Sequence, residues 1–147
     1  MCIRDSTRPM IAIVKSSFNS KITDGLYKGC ITALNQNGFS DDKIETHIVP
    51  GAFEIPYQTK KLLSKKHSLY QAVITLGCVI KGETDHYDYI ADAVTNGIMD
   101  ISINSQIPIL YGVLTCQNSE LAHARSSEDM KTNKGFEVAI AALEMIK

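Results

Sequence analysis

His86 is the side chain in this sequence best suited to moving a proton. It closes the run Lys81-Gly82-Glu83-Thr84-Asp85-His86, directly after the apolar stretch 72–80, and Asp88 follows two residues later. A polar turn at the end of the most apolar run puts reactive groups where a strand gives way to a helix. Thr84 or Asp85 would cap that helix and leave backbone N–H groups aimed into the loop, a setting suited to phosphate or another anion. The positive end of the helix dipole favours a neutral imidazole able to accept a proton near pH 7. Glu83 and Asp85 carry the wrong sign for phosphate, so a cation must come from elsewhere, and Arg125 is one candidate. From this segment alone, a capped helix with an exposed histidine is an equally good reading. One histidine among acids is a poor zinc set, because catalytic zinc usually takes at least two well-placed nitrogen or sulfur ligands. No metal is expected.

A second constellation is Val49-Pro50-Gly51-Ala52-Phe53-Glu54. Pro-Gly makes a turn, and Gly51 permits close approach of the backbone to a ligand. Glu54 can accept hydrogen bonds from hydroxyls, or simply place a negative charge near a helix start. Phe18 is an aromatic residue on an otherwise polar loop, either a hydrophobic plug or a stacking platform for a flat ring. Cys78, at the end of an apolar strand, reads as core rather than nucleophile. His47, His67 and His123 show no paired spacing and read as surface residues.

These residues need a frame that gathers them. Residues 10–14 read as a short strand, followed by a polar loop over 15–20. From 21 to 36, Ile22, Leu26, Cys30, Ala33 and Leu34 recur at helical spacing, and Gly38 supplies the stop. Residues 44–49 alternate as a strand ending at Pro50-Gly51. A helix over 53–65 tolerates Pro56 only near its first turn. The run 72–80 suits a strand covered on both faces. Ile90, Val94, Gly97, Ile98 and Ile101 give a helical stripe over 87–103. A fourth strand spans 107–115, with Pro108 at its start, and helices follow over 119–124 and 135–146.

Strand and helix alternating in this way imply an α/β fold: a four-stranded parallel sheet between helical layers, a flavodoxin-like three-layer sandwich. Ligands of such sheets gather at the carboxyl ends of the strands. The loops 16–20, 50–54, 81–86 and 116–119 fall there, which places both constellations on one edge.

Composition excludes several other classes. The 147 residues are 44% apolar and 21% charged, with a net charge of −1, as in an ordinary globular domain. No basic stripe offers a nucleic-acid surface; Lys60, Lys61, Lys65 and Lys66 read as the wet face of one helix. No apolar run is long enough to span a bilayer, and 10–14 is too brief for a signal peptide. Cys2, Cys30, Cys78 and Cys116 are scattered, which fits reduced thiols in the cytoplasm.

Five strings, in order, resemble the lumazine synthase family of riboflavin biosynthesis: SSFNSKIT, VPGAFEIP, LGCVIKGETDHYDYI, PILYGVLT followed by ELAHAR, and NKGFEVAIAALEM. The resemblance covers residues 10–147, taken as the domain. Residues 1–9 match nothing in the family and are expected to be a disordered extension. The resemblance implies condensation of 5-amino-6-(D-ribitylamino)uracil with 3,4-dihydroxy-2-butanone 4-phosphate, without cofactor or metal. On this chain it places Phe18 on the pyrimidine with Asn19 nearby. It puts Ala52, Phe53 and Glu54 on the ribityl chain and ring edge, and the Cys78, Val79 and Ile80 backbone on the ring. Glu83 and Thr84 would offer backbone donors to the phosphate, Arg125 its cation, and His86 the proton shuttle. Tyr111 would reach the ring from a neighbouring subunit, and Lys134 would touch a pyrimidine carbonyl.

The resemblance further implies a homo-oligomer, a pentamer with active sites between subunits, and no nucleic-acid or membrane partner. The chain departs from the family pattern at Ser17 and Lys81, where arginine is usual or frequent, and at Tyr111, where phenylalanine is common. The segment SSEDMKT before the last helix lacks glycine and is one residue longer, which points to isolated pentamers rather than larger shells. A flavodoxin-like module that binds a flavin or lumazine without making it is the rival reading. It needs neither His86 nor Arg125.

Overall fold

The computed structural model describes residues 10–64 and 70–147. The expectations for residues 1–9, for the last residue of the 53–65 helix, and for Lys65, Lys66 and His67 lie outside those residues. Four strands, β1 (Met10–Ser16), β2 (Ile44–Val49), β3 (Tyr70–Ile80) and β4 (Ile109–Cys116), form one sheet in the order β2-β1-β3-β4. Every pairing is parallel. The helices are α1 (Ser20–Gln36), α2 (Ile55–Leu63), α3 (His86–Ile103), α4 (Ser119–Ala124) and α5 (Lys134–Met145). This is the expected α/β/α sandwich. Among the described residues no helix is long and apolar enough to cross a membrane.

Strand periodicity divides the core in two. Ile11, Ile13, Ile74, Leu76 and Cys78 pack with α1, α4 and α5. Ala12, Val14, Val73, Val79 and Val113 pack with α2 and α3. Being covered on both sides, β3 is buried from Ala72 to Val79, which is why its sequence is apolar without alternation.

Helix α1 ends where Gly38 takes φ +94, a left-handed conformation natural to glycine. Helices α1 and α5 pack very closely. A Cβ on Gly135 would lie 1.8 Å from the Leu26 carbonyl oxygen, so only glycine fits there. Asn133, 1% exposed, secures this contact. Its Nδ2 donates to the Gly25 and Ser127 carbonyls at 3.1 and 2.8 Å, and its Oδ1 accepts the Phe136 N–H at 3.0 Å.

Element boundaries shift for identifiable reasons. Strand β1 runs two residues past Val14, because Lys15 stays in the ladder opposite Ile48 and Leu76 while its ammonium reaches Asp24 at 2.5 Å and lies 5.7 Å from the Tyr27 ring centroid. Buried Ser16 continues the register opposite Val49. The expected 53–65 helix begins with a separate 3-10 turn at Ala52–Glu54, and Pro56 then falls in the first turn of α2. Strand β4 starts after Pro108, whose carbonyl accepts the Val73 N–H at 3.0 Å. His47 is not a free surface residue. It is half-buried and its Nε2 lies 2.9 Å from Glu45 Oε1.

Candidate active site

The carboxyl ends of the strands bring the loops together by backbone hydrogen bonds. The Ser17 and Phe18 N–H groups donate to the Val49 and Pro50 carbonyls at 2.8 and 2.9 Å, joining the first loop to the second. Asn19 Nδ2 donates to the Cys78 carbonyl at 3.3 Å, joining the first loop to β3. Asn19 takes φ 60 and is the one non-glycine residue with positive φ among those described. Asparagine tolerates that conformation better than most residues.

These contacts enclose a cleft of about 330 Å³. It is lined by Phe18, Asn19, Gly51, Ala52, Phe53, Cys78, Val79, Ile80, Gly82, Thr84, His86, Tyr87 and Ile90. Phe18 and Phe53 are 69% and 57% exposed, so two aromatic faces stand open beside an apolar floor. That suits a flat ring. At the other wall, Thr84 Oγ1 accepts the His86 N–H at 3.2 Å. Of the two expected caps, the Thr84 side chain makes this bond and that of Asp85 makes none. His86 itself is exposed, within reach of a bound molecule.

Some expected roles change. Glu54 Oε1 is engaged by the Gly51 N–H at 2.8 Å, and Glu54 does not line the cleft. Gly51 has an extended backbone at φ −137, so its conformation does not demand glycine. Burial, with Cys116 adding to it, pushes the Cys78 thiol up to about 12. That leaves a protonated core thiol whose carbonyl does the work. Glu83 is exposed but outside the lining. Gly82, Tyr87 and Ile90 also line the cleft; the sequence offers none of them as a site residue, and Ile90 reads there only as part of the helical stripe. Among the described residues no three His, Cys, Asp or Glu side chains gather to hold a metal.

Tyr111, Arg125 and Lys134 do not line this cleft. The Tyr111 hydroxyl lies 2.7 Å from Thr95 Oγ1, and burial raises its phenol above the ordinary value despite that bond. Arg125 and Lys134 form a second cluster. Arg125 Nε donates to the Thr132 carbonyl at 3.2 Å and its Nη2 to Glu137 Oε1 at 3.1 Å. Lys134 Nζ donates to Glu137 Oε2 at 2.9 Å, and the Lys134 N–H to the Arg125 carbonyl at 2.7 Å. The Lys134 hydrogen bond holds the Glu137 carboxyl below its usual value, with the Lys134 and Arg125 charges also acting in that direction. Burial pushes the Cys116 thiol up, and the Arg125 charge partly offsets this.

The family described as 6,7-dimethyl-8-ribityllumazine synthase matches residues 8–147. The chain belongs to that family. Two proteins named 6,7-dimethyl-8-ribityllumazine synthase, from Coxiella burnetii strains CbuG_Q212 and RSA 493 / Nine Mile phase I, are each 44% identical to it over 137 residues. Each match covers 93% of this chain and 89% of the relative. Of the strings that resemble the family, SSFNSKIT, VPGAFEIP and LGCVIKGETDHYDYI supply the cleft lining, ELAHAR and NKGFEVAIAALEM supply the basic cluster, and PILYGVLT supplies most of β4, outside both.

Proposed function

We propose that the cleft between Phe18, Ala52 and His86 is where this chain carries out the reaction of its family. That reaction condenses 5-amino-6-(D-ribitylamino)uracil with 3,4-dihydroxy-2-butanone 4-phosphate, releasing phosphate and water and forming 6,7-dimethyl-8-ribityllumazine. The observation that carries the site assignment is the convergence of three sequence-distant loops on one cleft with an aromatic platform and a histidine. Phe18 stacks on the pyrimidine, and Asn19 holds the loop that carries it. The backbone of Cys78, Val79 and Ile80 meets the ring edge, while Ala52 and Phe53 take the ribityl chain, with the free oxygen of Glu54 at its end. The amine condenses with the ketone and one water leaves; loss of a proton and of phosphate leaves a new carbonyl, on which the ribityl-bearing amine closes the ring with loss of a second water. His86 moves the protons, and the Glu83 and Thr84 backbone receives the phosphate.

Among the described residues no Lys or Arg lines the chain's own cleft to serve as the cation that phosphate needs, and Arg125, Lys134 and the ring of Tyr111 stand elsewhere. A neighbouring copy supplies them in this reading, with Lys134 reaching the pyrimidine carbonyl and Tyr111 the ring. Tyr57, Tyr89, Met99 and Ile103 remain exposed on α2 and α3, as a homo-oligomer contact requires. We assign a pentamer as the working unit, in the cytoplasm, where the buried thiols Cys30, Cys78 and Cys116 stay free. Isolated pentamers are favoured over sixty-subunit shells by the added length of 126–132 and the exposed Glu128 and Asp129. The lack of glycine there costs no strain, because no residue of that segment has positive φ.

Mixing the protein with both substrates and following the lumazine's absorbance and fluorescence tests the activity. A folded protein that forms no lumazine rules the reading out. Light scattering in dilute buffer should give the mass of about five chains; hollow particles in electron micrographs would refute the isolated pentamer.

A further inference from the structure

Glu137 takes no part in the cleft, yet it is the anion that Arg125 and Lys134 already share. It lies on the first turn of α5, and each of its carboxylate oxygens receives one cation, Nη2 of Arg125 at 3.1 Å and Nζ of Lys134 at 2.9 Å. Two oxygens of a phosphate would make the same pair of contacts. The Arg125 Nε bond to the Thr132 carbonyl fixes the guanidinium plane at 3.2 Å. A guanidinium has five N–H donors, so these two bonds leave three for a second anion. All three side chains are partly exposed, at 44% for Arg125, 25% for Lys134 and 59% for Glu137. An incoming anion can therefore reach the cations without unfolding anything.

We propose that Glu137 is a positioning residue that holds Arg125 and Lys134 as a pair and competes with phosphate for them, so that released phosphate is not retained. The proposal rests on the reading of Arg125 as the phosphate anchor. Two cations and one carboxylate sum to one positive charge, whereas a phosphate group near neutral pH carries about −1.5 to −2. With Glu137 in place the site is under-neutralised for a dianion, and a carboxylate within a few ångströms repels it. Exposure and salt weaken that repulsion but do not remove it at such short range.

Glu137→Gln removes the charge and keeps an oxygen that can accept from either cation. The inhibition constant of inorganic phosphate should fall about three- to tenfold, an order-of-magnitude expectation for one partly screened charge. The KM for the butanone phosphate should fall with it, and the KM for the ribityl-pyrimidine should stay put. A purely structural role would leave phosphate inhibition unchanged or weaken it. In an Arg125→Ala background the gain from Glu137→Gln should shrink, as expected of residues that act on a shared partner. If Arg125→Ala weakens phosphate inhibition while Glu137→Gln does not strengthen it, the proposal fails and the phosphate anchor stands. If Arg125→Ala leaves phosphate inhibition at the wild-type level, the anchor fails and the proposal with it. Matching circular dichroism spectra establish that the variants fold.

Discussion

The two faces of the sheet are finished to different degrees. On the α1/α5 face, backbone meets backbone through Gly135 and Leu26, and Asn133 is buried with three hydrogen bonds made. On the α2/α3 face, α3 buries only Val94 and Ile98 and leaves Tyr89, Met99 and Ile103 in the open. The cleft lies on this second side, since Ala52, Val79, Tyr87 and Ile90 belong to its core cluster. The basic pair is carried by the end of α4 and the start of α5, with Arg125 directly after α4 and Lys134 the first residue of α5, both on the first face. The first layer is closed backbone to backbone, while the second keeps a buried cluster of its own around Val14, Ile55, Leu62 and Val73. The second layer also leaves apolar side chains of α3 uncovered, and it carries the cleft.

The sharpest way to break this comparison is to charge the open face. Met99→Asp with Ile103→Asp on α3 should leave the fold intact, because neither side chain is buried. In an assembled protein the same change would bury two unpaired carboxylates at an interface, each costing several kcal/mol. We expect a monomer by light scattering and no detectable lumazine formation. A monomer with full activity would show that one chain holds a complete site.

The closed face should respond in the opposite way. Gly135→Val adds atoms where a Cβ alone would sit 1.8 Å from the Leu26 carbonyl oxygen. Overpacking of this kind costs about 1–3 kcal/mol, occasionally more, and the backbone contact puts this site at the upper end. The Tm measured at fixed protein concentration should drop by several degrees, since about 1 kcal/mol moves it by about 4 °C in a domain of this size. An unchanged Tm would mean that α1 and α5 can separate freely. Within the cleft, His86→Ala should leave Tm unaltered, as the residue is exposed. General acid–base groups contribute about 10²–10⁴ in rate, and this condensation is easy enough for a loss of about 10² in kcat. Stopped-flow single turnovers at the wild-type rate would remove the histidine from the mechanism.

The same asymmetry decides what could be read from sequence. The closed face was legible because burial leaves a periodic record: the stripe of Ile22, Leu26, Cys30, Ala33 and Leu34, and the continuous apolar run of β3. The cleft was legible through its strings, since Phe18, Phe53 and His86 lie in loops that the parallel topology must bring to one edge. Side-chain pairings were not. That Glu54 serves the Gly51 N–H, that Asn133 joins three segments, and that Glu137 bridges two cations depend on distances no spacing rule supplies. Lys15 reads as loop in the sequence because its charge masks a strand position whose side chain lies over Tyr27. Arg125, Lys134 and Tyr111 lie in other family strings than the cleft residues, and none of them lines the cleft of its own chain.

The smallest expected effect separates conformation from hydrogen bonding on the open side. Asn19 is held at φ 60, ψ 50 at the N-cap of α1 and donates to the Cys78 carbonyl at 3.3 Å. A left-handed backbone costs an ordinary residue about 1–2 kcal/mol, and a hydrogen bond of this length sits at the weak end of about 0.5–1.5 kcal/mol. Asn19→Ala meets both losses. Asn19→Gly loses the bond but adopts the conformation freely, while gaining unfolded-state entropy of about 0.4–1 kcal/mol. The glycine variant should therefore be the more stable of the two, by at most about 1.6 kcal/mol. In both, the KM for the ribityl-pyrimidine should rise severalfold, because the loop carrying Phe18 loses its tie to β3. If the alanine variant proves as stable as the glycine variant, the left-handed turn is not under strain. If the KM stays unchanged in both, the Asn19–Cys78 bond does not position the stacking ring.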